Sequence, residues 1–250
     1  MQDPFDRWFS ALEARYFQNL TFQEVRRAVQ ALSSLYVERR DQIGRSGAFD
    51  GVGKRAAFAY FYGPLHFLLV QEIVRALGAG KTRAGSILDL GCGTGVAGAA
   101  WAIEMDEAPR VTGIDRNPWA AQEAKWTYEA LGLNGHARIS DLARLRIPSN
   151  TAVIAAFTMN EIPETDRDRF RAQFLKAREH GSSILIIEPI ARRLSPWWEE
   201  WASEWHAVGG REDEWRFRVA LPERLALMDK AAGLDHGELT GRSLWLSIAK

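Results

Sequence analysis

The 250-residue chain carries 32 basic and 32 acidic side chains with 46% hydrophobic residues, an ordinary globular composition long enough to bury a core. The charge balance excludes a global pull toward nucleic acid, and the single cysteine, Cys92, excludes an internal disulfide framework and a cysteine-rich zinc or iron–sulfur site. Apolar stretches fall short of the ~20 residues that cross a bilayer, and the start Met-Gln-Asp-Pro is no basic-then-apolar leader, so a soluble cytoplasmic protein without membrane contact is expected.

From Phe5 to about Arg40, apolar residues such as Phe9, Leu12, Val25, Val29, Leu32, Leu35 and Tyr36 recur mostly at three- and four-residue steps, which predicts amphipathic helices. Thr21 and Glu24 have capping-box spacing, so a helix restarts there. The glycines between Gly44 and Gly53 read as a loop or hinge. Lys54 to Leu77 is again helical, with a break expected near Gly63-Pro64, because proline lacks an amide donor and disfavours helix in the residue before it. Its aromatic residues, Phe58, Tyr60, Phe61, Tyr62, His66 and Phe67, are core or the lining of a pocket for a planar ligand. Residues 1–85 hold 12 basic against 8 acidic side chains, a bias that fits a solvated helix face or an RNA contact surface.

After Ala84 short apolar runs alternate with helical stretches, the rhythm of a parallel sheet with crossover helices. Strands are expected at Ser86–Leu90, Val111–Asp115, His136–Ser140, Thr151–Phe157 and Ser183–Glu188, and helices at Val96–Met105, Pro118–Gly132 and Thr165–His180. The tail reads as a helix, Pro222–Ala232, then two strands, Leu234–Thr240 and Ser243–Ala249. This gives an N-terminal helical segment, 1–83, and an α/β domain, 84–250.

The stretch Ile87-Leu88-Asp89-Leu90-Gly91-Cys92-Gly93-Thr94-Gly95 is a strand ending in a glycine-rich turn that feeds a helix, the place for a nucleotide-like ligand. It resembles motif I of the class I S-adenosylmethionine-dependent methyltransferases, acidic-x-Gly-x-Gly-x-Gly. The resemblance implies a Rossmann-like, seven-stranded, mostly parallel sheet with its last strand reversed and S-adenosyl-L-methionine as cofactor; with a single cysteine, no metal site is expected. Gly93, Gly95 and Gly98 also spell the dinucleotide fingerprint, with Asp115 about 20 residues on, which keeps an NAD(P)-binding oxidoreductase as a competitor. Asp89 argues against it, since a carboxylate at the strand end opposes a pyrophosphate but suits the cationic amino group of methionine.

Asp115 ends the second strand, where its carboxylate can accept from both ribose hydroxyls, with Arg116 beside it; the alternative is an Asp capping the next helix. Asp141 follows the third strand, and the resemblance places the adenine amino group on it and the ring on the backbone amide of Leu142. The turn residues Gly91, Cys92, Gly93 and Gly95, together with Thr158, complete the expected cofactor contacts. The fourth strand runs into Thr158-Met159-Asn160-Glu161, where such folds put the acceptor, and Asn160 or Glu161 can align it or take its proton; a plain helix start is the other reading. Cys92 lies inside the cofactor turn, so methylation of cytosine C5, which needs an attacking cysteine, is not expected.

After Glu188-Pro189 come Arg192, Arg193 and the tryptophans Trp197, Trp198, Trp201 and Trp205, a cover for the active site or a small aromatic core. The stretches Ala31–Tyr36 and Arg55–His66, the glycine turn and Ile187-Glu188-Pro189 resemble the Rsm22 family, methyltransferase-like proteins of the small ribosomal subunit. That family's metal-binding cysteines are missing; the tail offers Trp215-Arg216-Phe217 instead. The expected function is methyl transfer to RNA, ribosomal RNA included, or to a small molecule. The alternative is an RNA-associated assembly factor that binds the cofactor without turnover.

Overall fold

The computed structural model describes residues 3–38, 49, 51–142 and 145–248, with backbone alone at 35–38. The expected helix end at Arg40, the side chains of Leu35 and Tyr36, and most of the Gly44–Gly53 loop lie outside the described residues.

Helix α1 (Pro4–Tyr16) starts at Asp3, whose Oδ1 accepts the Phe5 N–H at 2.8 Å, with Pro4 in the first turn where no amide is missed. Helix α2 (Phe22–Glu38) opens on the expected capping box: the Thr21 N–H donates to Glu24 Oε2 at 2.7 Å, and the Glu24 N–H to Thr21 Oγ1 at 3.3 Å. Then follow α3 (Val52–Ala56), a π-helical stretch Ala57–Tyr62 and α4 (Gly63–Leu77). The break expected at Gly63-Pro64 is therefore corrected to a change of pitch. The Gly63 N–H reaches back five residues to the Phe58 carbonyl, and Pro64 falls in the first turn of α4, where its missing donor costs nothing.

The remaining elements are β1 (Ser86–Leu90), α5 (Val96–Ile103), β2 (Arg110–Asp115), α6 (Pro118–Ala130), β3 (Gly135–Ile139) and β4 (Ala152–Ala156). They continue with α7 (Glu164–Glu179), β5 (Ser183–Glu188), α8 (Trp198–Ala207), β6 (Arg211–Phe217), α9 (Glu223–Ala231) and β7 (Leu239–Leu246). The strands form one seven-stranded sheet in the order β3-β2-β1-β4-β5-β7-β6. β1 to β5 run parallel and β7 pairs antiparallel with β5, so this is a Rossmann-like α/β sheet with its last strand reversed. The two expected tail strands are corrected to one, β7, which runs straight through Gly241, and the segment at 234–238 is no strand.

The chain divides into two compact units. In the first, Met1–His66 with Arg218–Leu239, Trp8, Phe9, Leu12, Val25, Val29, Tyr60 and Met228 are buried, and the Phe9 and Tyr60 rings stack at 5.5 Å. Tyr60 and Phe61 are thus core rather than pocket lining. In the second, Phe67–Phe217 with Thr240–Lys250, one sheet face packs Leu88, Val153, Ile184 and Leu244 against Phe170 and Phe174 of α7 and the tryptophans of α8. Trp198, Trp201 and Trp205 are all at most 1% exposed, which makes them core and leaves none of them to stack on an acceptor. On the opposite face, Ala99, Ala100 and Trp101 of α5 are fully buried, with the Trp101 Nε1–H on the Ala79 carbonyl at 3.1 Å.

Candidate active site

The C-terminal ends of β1, β2, β3 and β4 share one edge of the sheet because all four run parallel, and the expected site residues gather along it. The turn after β1 holds Gly91, Gly93 and Gly95 at φ +63°, +51° and +79°, conformations that an L side chain rarely adopts. The approaches are close as well. A Cβ on Gly95 would lie 2.9 Å from Ala124 and from the Tyr128 ring, so helix α6 packs directly against the turn.

Asp89 lies beneath the turn at 1% exposure, and its Oδ2 accepts the Gly98 N–H of α5 at 2.8 Å. Burial raises its carboxyl to about 7, against the Gly98 hydrogen bond, with the nearby Asp115 charge adding to the rise. Asp89 thus clasps the helix start from below, a role that its sequence position alone does not disclose. A cation bound beside it would favour the ionised carboxylate.

Asp115, at the tip of β2, accepts the Gly93 N–H at 2.9 Å on Oδ2 and the Asn117 N–H at 2.8 Å on Oδ1. Each carboxylate oxygen keeps further acceptor capacity for a hydroxyl. The helix cap is made by its neighbour instead: Asn117 Oδ1 accepts the amides of Trp119 and Ala120. Arg116 is exposed beside Asp115. Asp141 follows β3 by two residues and is exposed, while Leu142 is half-buried against the core.

Cys92 donates its backbone N–H to the Ile114 carbonyl at 3.0 Å, fastening the turn to β2. Its thiol is buried, and burial followed by the Asp89 and Asp115 charges pushes it well above its ordinary value. Such a thiol is held neutral and is a poor nucleophile. Among the described residues no cluster of histidine, cysteine and acidic side chains could hold a metal ion, and no helix is long and apolar enough to cross a membrane.

Thr158 is buried where β4 ends, with its hydroxyl 2.9 Å from the Leu90 carbonyl, 3.1 Å from that of Ala156 and 3.4 Å from that of Gly91. The residue before it, Phe157, has φ +57°, a left-handed conformation that costs an aromatic residue about 1–3 kcal/mol. Asn160 and Glu161 follow in a single 3₁₀ turn, Met159–Glu161. The Asn160 amide is engaged on both sides: Nδ2–H donates to Glu188 Oε2 at 2.6 Å, and Oδ1 accepts the Trp197 Nε1–H at 3.0 Å. Glu161 is exposed on the same turn. The structure therefore brings the glycine turn, Asp89, Asp115 and Thr158 together, and sets Asp141, Leu142, Asn160 and Glu161 along the same strand ends.

Three features bear on S-adenosylmethionine. The turn leaves no side chain between its backbone and a ligand, Asp115 offers carboxylate lone pairs at the tip of β2, and the Thr94 hydroxyl is buried in the turn with no hydrogen-bond partner among the described residues. All three fit a ligand bearing ribose hydroxyls and a cationic amino acid.

Residues 87–181 match the family model for a methyltransferase domain. No curated protein matches the chain. Among solved structures, a candidate O-methyltransferase from Nostoc punctiforme PCC 73102 superposes with a TM-score of 0.54 at 11% identity, over 89% of this chain and 69% of that one, which shows the shared fold. A candidate RNA methyltransferase from Pyrococcus horikoshii gives 0.49 at 18% identity, over 75% and 86% of the two chains. Magnesium protoporphyrin IX methyltransferase from Synechocystis PCC 6803, with bound S-adenosylmethionine, gives 0.46 at 16%, over 87% and 95%. The domain match favours methyl transfer over the dinucleotide reading of the glycine turn.

Proposed function

We propose that this S-adenosylmethionine-dependent methyltransferase delivers its methyl group to RNA, with the acceptor atom at the turn Thr158–Glu161 that closes β4. The observation that carries the acceptor class is a basic stripe on the sheet edge. Thr112 pairs with His136 and Ile114 with Arg138, so Arg110, His136 and Arg138 lie on one face, and all three are exposed. His136 is pushed down by desolvation and then by the charges of Arg138 and Arg110, so the positive charge of the stripe rests on the two arginines. Such a stripe suits a phosphate backbone.

In this reading residues 84–250 form the cofactor-binding domain and residues 1–83 a helical segment. Asp115 holds the ribose hydroxyls with Arg116 beside it, Asp89 stands near the methionine amino group, and Asp141 with the Leu142 amide meets the adenine. The cofactor supplies an electrophilic methyl group. Thr158 and Asn160 fix the turn against which the acceptor is aligned, and exposed Glu161 receives a proton when the acceptor carries one. The Rsm22 resemblance supports small-subunit ribosomal RNA as the acceptor.

The test is transfer of tritium from labelled S-adenosylmethionine to transcribed small-subunit ribosomal RNA, alongside RNA binding at rising salt. Every phosphate that the protein neutralises steepens the fall of affinity with salt. Arg138→Glu and Arg110→Glu should therefore weaken binding and flatten that dependence by about one unit each. RNA binding that ignores salt, or transfer only to small molecules, would contradict the RNA reading.

A further inference from the structure

We propose that Glu188 is a positioning residue for methyl transfer, fixing through Asn160 the turn that closes β4. The inference rests on the reading that the acceptor meets the methyl group at that turn.

Glu188 ends β5 and is fully buried. Both of its carboxylate oxygens grip one residue: Oε1 accepts the Asn160 backbone N–H at 3.1 Å and Oε2 the Asn160 Nδ2–H at 2.6 Å. Two hydrogen bonds from one residue to one carboxylate set the position and the orientation of the turn together, and bonds to an ionised acceptor are the stronger kind. From Asn160 the contacts run on. Asn160 Oδ1 accepts the Trp197 Nε1–H at 3.0 Å, and the face of the adjoining Trp198 carries the Arg242 guanidinium 4.1 Å from its ring centroid. Arg242, only 1% exposed, is itself the register partner of Glu188 across β5 and β7. Glu188, Asn160, Trp197, Trp198 and Arg242 thus close a circuit that joins the ends of β4 and β5 to the segment leading into α8.

Arg242 gives the circuit its charge balance. Burial pushes the guanidinium below its ordinary value, and Glu188 is the foremost charge opposing that shift, followed by Glu212 and Glu199. Its Nε and Nη2 carry no hydrogen bond among the described residues, and the Glu188, Glu212 and Glu199 charges and the Trp198 face offset its burial.

The circuit reaches the cofactor turn in two steps along the chain. Asn160 is two residues from Thr158, whose hydroxyl donates to the Leu90 carbonyl at 2.9 Å and whose methyl group fills the space above Gly91. A turn released at Asn160 is therefore released at the floor of the glycine turn as well. Asn160, with its amide oxygen and one amide hydrogen committed, transmits position rather than taking a proton.

The test uses the full chain with Glu188→Gln and Trp197→Phe, S-adenosylhomocysteine as the calorimetric probe, and amide hydrogen exchange of residues 157–161. The Trp197 indole N–H is identified in nitrogen–proton spectra by its disappearance in W197F. In E188Q we expect that indole signal to move, exchange at 157–161 to rise about tenfold, and S-adenosylhomocysteine to bind about tenfold more weakly. W197F removes one donor while keeping most of the ring packing, and should weaken the same ligand about threefold with faster exchange at 157–161. Should E188Q fail to fold, W197F alone decides. Affinity within twofold of the parent and unchanged exchange in a folded variant would overturn the role. No readout uses an acceptor, so failure of the parent chain to methylate RNA counts against the RNA reading alone.

Discussion

Thr158 occupies the space that any side chain on Gly91 would need: a Cβ there would lie 2.4 Å from Thr158 Cγ2 and 2.6 Å from its Oγ1. The end of β4 and the glycine turn are thereby in direct contact, and glycine is required at 91 both for this approach and for its φ of +63°. Gly91→Ala should lower stability by about 2–4 kcal/mol, from left-handed backbone strain plus overpacking. Adding Thr158→Ser, which removes Cγ2, should recover part of that stability. Urea unfolding of the single and double variants checks this, and an unchanged midpoint for Gly91→Ala would refute the close approach.

His66 and Asp89 act in opposite directions on the pH dependence of stability. His66 is pushed down to about 4 by burial, with the His236 charge adding to it, so between about pH 4 and 6.5 the unfolded chain binds the proton that the folded chain refuses. Its contribution is full above 6.5 and is lost as pH falls. Asp89 is raised to about 7 by burial, so between about pH 4 and 7 the folded chain keeps a proton that the unfolded chain releases, and stability falls as pH rises. The parent chain should therefore show a nearly flat profile over this window. Asp89→Asn should expose the rising limb of His66, worth up to ~3 kcal/mol. His66→Phe should expose the falling limb of Asp89. Urea midpoints from about pH 4.5 to 7.5 read both, and parallel profiles in all three proteins would contradict the assignment.

Trp205 is fully buried and stacks on Trp201 at 5.6 Å, inside the core shared with Phe174. Trp205→Ala should cost about 3–5 kcal/mol. An acceptor-stacking residue would instead keep its stability when truncated, so the urea midpoint of Trp205→Ala separates the two roles.

The central parallel strands β1, β4 and β5 are legible in the sequence because they are buried on both faces and read as continuous apolar runs, as in Ser183–Glu188. The glycine turn is equally legible, since its backbone conformation restricts the residues allowed there. β6 is not. Its sequence, Arg-Glu-Asp-Glu-Trp-Arg-Phe, is polar because the strand sits at the sheet edge, where burial enforces no pattern. Gly241 reads as a turn in isolation, yet β7 runs through it and pairs with β5 from Arg242 onward. The π-helical stretch leaves no local signal apart from the proline it accommodates. At the site, Glu188 is marked by its place at the end of an apolar strand. Arg242 has no such mark among its sequence neighbours, and only strand register makes it the partner of Glu188.

Every role assigned along the strand ends depends on the glycine turn and Asp115 holding S-adenosylmethionine. Calorimetric titration of the purified chain with S-adenosylmethionine, S-adenosylhomocysteine and NADH, repeated with Asp115→Ala, tests that dependence. The sulfur ligands should bind with dissociation constants on the order of micromolar, about −8 kcal/mol, and weaken at least about tenfold in the variant, while NADH gives no heat. Binding of NADH alone, or S-adenosylmethionine affinity indifferent to Asp115, would contradict this placement of the cofactor.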